Sequence, residues 1–104
     1  MTQQNFEKIV DDQLEITRNL LISKGQEYSF TGDRLGAFKK AACLQGESPQ
    51  QALCGMLAKH VVSIYDMAMS EQEFSEARWT EKITDSINYL LLLKAAVLEK
   101  SYED

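Results

Sequence analysis

Apolar residues recur every three or four positions along most of the chain, the spacing of one face of an α-helix. Phe6, Ile9, Val10, Leu14, Leu20 and Leu21 define a first helix from about Asn5 to Lys24, where Lys24-Gly25 supplies a cation and a stop. A loop from Gln26 to Asp33 follows, carrying Tyr28 and Phe30 among polar residues. A second helix spans about Asp33 to Leu44 and ends at Gly46. Ser48-Pro49-Gln50-Gln51 is the sharpest local signal: Ser48 can cap, Pro49 suits the first helical position, and Gln51 completes a capping box. The third helix then reaches about Met69, with Leu53, Met56, Leu57, Val61, Ile64, Tyr65 and Ala68 on its apolar side. Ser70 and Glu73 repeat the capping-box pattern, and a last helix starts at Ser75 or Thr80 and runs to Lys100. Four helices with short connections predict an all-α, four-helix bundle-like fold. Residues 1–104 form one domain, completed by oligomerisation.

Composition supports helices over strands, since 104 residues hold one proline and five glycines. A chain this short buries only about two thirds of its unfolded surface, so self-association would help it. The formal net charge of -5 repels a phosphate backbone at long range and argues against direct DNA binding. A small nucleotide remains compatible, because its charge can be met locally. Cys43 and Cys54 do not form a zinc-type pair with the sole histidine, His60. The amino terminus does not read as a signal peptide, and the apolar run from Ile87 to Leu98 is broken by Asn88 and Lys94. The expected setting is a reducing cytoplasm.

Glu81, Asp85 and Asn88, at i, i+4 and i+7, share one helical face. Two carboxylates one turn apart can share a hard cation such as Mg2+, and the amide can orient a ligand. Acidic pairs at this spacing are also common on solvated helices. Asn88 tilts the reading, because it enters the apolar stretch Tyr89–Leu93 and a polar group so near a core needs a partner. On the third helix Lys59, Ser63 and Asp66 form another polar stripe beside His60. Lys59 could hold a phosphate, and His60 could donate to one or stack on a base, although a lone histidine is more often structural. The loop brings Glu27, Tyr28, Asp33 and Arg34, with Lys24 just before it, as a possible lid over a flat base. Lys39-Lys40 reads as a solvated basic spot, and Trp79 as a core or interface anchor.

Taken together, Lys24–Tyr28, Asp33-Arg34-Leu35, Phe38, Lys59–Ser63 and Glu81–Leu90 resemble small helical proteins encoded by phages and prophages. Those in turn are similar to the all-α nucleotide pyrophosphohydrolase superfamily typified by MazG and the dimeric dUTPases. The resemblance spans about Ile22 to Leu98. It implies a homo-oligomer of helical bundles in the host cytoplasm that cleaves nucleoside triphosphates to monophosphate and pyrophosphate. In that superfamily an EExxE motif and an ExxD motif hold magnesium. Glu81 and Asp85 match the second motif, spaced by four rather than three, as metal ligands. The first is missing, since the third helix reads Lys59-His60-Val61-Val62-Ser63 with Asp66 beyond. The implied roles are Glu27 or Asp66 positioning water, and Lys24, Tyr28, Arg34, Lys59, His60, Ser63, Asn88 and Tyr89 binding the nucleotide. The alternative is a non-catalytic counter-defence protein that captures a nucleotide signal or binds a host defence protein.

Overall fold

The computed structural model describes residues 1–28 and 32–102, apart from the side chains of 24–28. Four α-helices run in order: α1 Gln3–Tyr28, α2 Gly36–Gln45, α3 Pro49–Met69 and α4 Glu76–Leu98, followed by a 3-10 helix Glu99–Tyr102. There is no strand among the described residues, so the fold is all-α and bundle-like, as the periodicity predicts. No described helix is long and apolar enough to cross a membrane.

Local chemistry accounts for the helix ends. The Ser48 hydroxyl accepts from the Gln51 amide while the Gln51 side chain accepts from the Ser48 amide, the capping box expected there. Such a cap contributes about 1 kcal/mol. Gly46 takes a left-handed φ of 69°, and the amides of Gly46 and Glu47 return to the carbonyls of the last turn of α2.

Three boundaries differ from the sequence expectation. α1 passes through Gly25 to Tyr28, because one internal glycine costs only about 1 kcal/mol and good helix formers flank it. The expected loop therefore shrinks, and residues 29–31 lie outside the described ones. α2 starts at Gly36 because Asp33 forms a turn: its carboxylate accepts from the Leu35 amide and its carbonyl from the Gly36 amide. Ser70 makes no capping box with Glu73; its hydroxyl accepts from Gln72, and Ser75 caps α4 instead through the Arg78 amide. Phe74, just before that cap, meets Trp79 edge-on at 6.4 Å, a hydrophobic staple that fixes where α4 begins. Trp79 is accordingly half-buried.

The core is small. Leu35, Leu53 and Leu92 form its centre, with Leu21, Phe38, Tyr89, Leu93 and Ala96 packed around them. α3 lies antiparallel to α4, and α2 packs on α3. α1 runs parallel to α4: Gln13 meets Thr84, and eight residues further along both helices Leu21 reaches the cluster around Leu92. At the crossing, the Gln13 amide donates to the hydroxyls of Thr17 (3.1 Å) and Thr84 (2.8 Å), both buried. That satisfied polar node lets two threonines sit where the helices touch.

Lys39 is not merely solvated. Its ammonium bridges Asp33 at 2.7 Å and Glu99 at 2.8 Å, tying the turn before α2 to the 3-10 helix at the end of the chain. The hydrogen-bonded Lys39 ammonium, with the Leu35 amide, lowers the Asp33 carboxyl below the ordinary aspartate range. Asp33 and Glu99 in turn hold Lys39 protonated above the ordinary lysine range. A lowered carboxyl pKa stabilises the fold above the unfolded value and loses its effect as pH falls through the folded one; a raised lysine pKa stabilises below the unfolded value and loses its effect as pH rises. The tether should therefore persist from roughly pH 5 to 10. Lys39→Met should release Glu99–Tyr102 with little change in global melting, read as faster amide exchange there than in α3. Unchanged exchange would show that the bridge restrains nothing.

Candidate functional site

A cavity of about 370 Å3 opens where α2, α3 and α4 meet the carboxyl-terminal half of α1. Leu21, Phe38, Met56 and Leu92 form an apolar wall, and Arg34, His60, Asp85 and Asn88 supply its polar groups. The size and mix match a small-molecule site, with a few convergent polar groups on an apolar lining.

Helical register places each group. On α3, Leu53, His60 and Met67 are seven residues apart, so the side that packs on α4 carries His60 into the interface. On α4, Thr84, Asn88 and Leu92 are buried one turn apart, and Asp85 and Tyr89 flank them half-buried. The imidazole of His60 stacks on the Tyr89 ring, with centroids 5.0 Å apart and planes at 26°. Its Nδ1 stands 3.8 Å from the Asp85 carboxylate, beyond hydrogen-bond range. Among the described residues two buried atoms have no hydrogen-bond partner: His60 Nδ1 and Asn88 Oδ1. Leaving a buried polar group unmatched costs roughly 1–3 kcal/mol, so residues that do so in a cavity are candidates for ligand contact.

The expected site residues divide. Arg34, His60, Asp85, Asn88 and Tyr89 are brought together around the cavity. Glu81 lies on the same side of α4 but one turn away, exposed, beside a shallow depression with Glu76, Ala77 and Thr80. Lys59 and Asp66 are exposed and do not line the cavity, being about a third of a turn from the His60 side of α3. Ser63 is half-buried and also outside the lining. Lys24, Glu27 and Tyr28 belong to the last turns of α1, and their side chains lie outside the described ones. Among the described residues no three His, Cys, Asp or Glu side chains gather to hold a metal ion. Among the described lining residues, Asp85 alone could offer a carboxylate.

Sequence reading missed the apolar wall. Met56 and Phe38 carry no chemical signal, and only their position on the inner sides of α3 and α2 makes them lining residues. His60 was among the expected residues, and its seven-residue spacing from Leu53 and Met67 accounts for its inward placement. The fold and site together define a helical-bundle protein with a polar-studded cavity between helices. No protein-family model, curated protein or solved structure matches the chain.

Asn88 gives a direct check of site against scaffold. Asn88→Leu removes an unmatched buried acceptor at a residue only 6% exposed. Melting should be unchanged or raised, by up to about 1 kcal/mol. A loss of more than about 2 kcal/mol would show that the amide is needed by the fold.

Proposed function

We propose that the cavity binds a nucleoside phosphate. The observation supporting this is the pairing of a flat stacked surface, His60 on Tyr89, with an unmatched amide oxygen on Asn88 and a guanidinium on Arg34, all around one apolar-walled cavity. A base is flat, apolar on its faces and polar at its edge, and so suits an aromatic wall with one amide at the rim. Asn88 Oδ1 would accept from a ring or exocyclic N–H. Arg34 would grip phosphate oxygens through its planar fork.

Hydrolysis to monophosphate and pyrophosphate is the activity that the resemblance to MazG-like proteins suggests. In that reading Asp85, assisted by Glu81, would bind Mg2+ riding on the phosphates, and the ion would offset charge developing at the reacting phosphorus. Of the two residues expected to position water, Asp66 is exposed outside the lining, which leaves Glu27 for that role. Such a protein would serve a phage as a nucleotide-handling accessory in the host cytoplasm. A second reading has its own support: Arg34 and His60 against the single carboxylate of Asp85 favour a receptor that holds phosphate without metal and turns nothing over. Its role would be to capture a nucleotide signal of host defence.

Titration calorimetry with the four deoxynucleoside triphosphates, with Mg2+ and then with chelator, tests both readings. Binding is expected for at least one nucleotide. Arg34→Met should weaken a triphosphate by about tenfold or more and leave the matching nucleoside unaffected. Binding that survives chelator, with no pyrophosphate released, identifies the receptor. Binding lost with chelator, and pyrophosphate released when Mg2+ is restored, identifies the hydrolase. No heat with any nucleotide in either condition rejects the nucleotide site altogether.

A further inference from the structure

The polar groups that α4 turns into the cavity are acceptors waiting for donors. Asn88 is 6% exposed, and its Oδ1 has no hydrogen-bond partner among the described residues. Asp85 stands three residues earlier, on the same side of the helix, and lines the same cavity. Its carboxylate accepts no hydrogen bond from the described residues, since His60 Nδ1 at 3.8 Å is beyond reach. An ionised carboxylate can only accept. A ligand that satisfies both residues therefore needs adjacent N–H donors on one edge.

The nucleobases differ at that edge, where proteins read an unpaired base. Guanine presents its N1–H and its 2-amino group side by side. Adenine and cytosine set an amino group beside a bare ring nitrogen, and thymine and uracil set one ring N–H between carbonyl oxygens. Each of these would bring an acceptor against the carboxylate or the amide oxygen, leaving buried lone pairs opposed with no proton between them. Shape and stacking discriminate weakly, because every base has a flat face. A site built around donors on the ligand discriminates sharply, because the wrong ligand leaves the site's own polar groups unmatched.

We infer that the base this cavity selects is guanine, with Asp85 and Asn88 accepting from N1–H and the 2-amino group. The aromatic faces of Phe38, His60 and Tyr89 supply the flat surroundings, and Arg34 keeps its role on the phosphates. This selectivity rests on the nucleotide reading above, in its metal-free form, because a carboxylate engaged by the base does not hold Mg2+.

Calorimetry in chelator with the triphosphates of deoxyguanosine, deoxyinosine and deoxyadenosine removes the donors in turn. Deoxyinosine keeps N1–H and lacks the 2-amino group, and deoxyadenosine lacks both. The guanine nucleotide should bind tightest, the hypoxanthine nucleotide about tenfold more weakly, and the adenine nucleotide about 100-fold more weakly. Asp85→Asn puts a donor beside the acceptor. It should weaken the guanine nucleotide about tenfold or more and strengthen that of deoxyxanthosine, which carries a carbonyl oxygen in place of the 2-amino group. Melting of this isosteric variant should be unchanged; if it folds poorly, the wild-type ratio of guanine to hypoxanthine affinity decides alone. Equal affinities, or a preference for adenine, overturn the guanine assignment and leave the nucleotide site standing. Binding that appears only with Mg2+, and is lost for every base alike in Asp85→Asn, puts Asp85 on the metal and also overturns it. No binding of any of these nucleotides, with or without Mg2+, removes the assignment together with the site.

Discussion

Thr84, Asn88 and Leu92, stacked one turn apart on α4, are the line of contact on which the fold depends. α1 reaches this line through Gln13 and Leu21, and α3 through Leu53 and His60. Each of the three does a different job. Thr84 is polar and matched, held by the Gln13 amide, so it sets the height at which α1 crosses. Leu92 is apolar and belongs to the central cluster. Asn88, between them, is buried with its oxygen unmatched. A sequence selected for stability alone would place an apolar residue there, since removing an unpaired buried polar group is neutral or favourable.

The same line divides the molecule. On the carboxyl-terminal side α2 and the Asp33 turn fold over α3 and α4, and Lys39 fastens that turn to Glu99. Arg34, next to the tethered Asp33, belongs to the same turn and lines the cavity. On the amino-terminal side the chain supplies three helices and no cover. The cavity thus lies where α2 completes the bundle, and the exposed amino-terminal half of α1 lies where it does not.

Charge separates the two halves as well. Along the cavity, the Asp85 carboxylate is offset by the Arg34 guanidinium, so the lining does not share the net charge of -5. Elsewhere the acidic surface disfavours long-range attraction to a phosphate backbone.

Local chemistry by itself determined the helices. The three- and four-residue spacing of Leu53, Met56 and Leu57, and the Ser48–Gln51 cap, were legible because short-range geometry alone sets them. Glu81, Asp85 and Asn88 were rightly placed on one side of α4 for the same reason. Only the tertiary structure decided which of them is enclosed, because α2 is too short to cover Glu81 and long enough to enclose Asp85. It also drew His60 inward and left Lys59 and Asp66 in water, a matter of which side of α3 meets α4. Lys39, ordinary in its local context, found Glu99 sixty residues away. Periodicity fixes what a helix offers on each side; which side is covered depends on partners distant in the chain, and no local pattern encodes that.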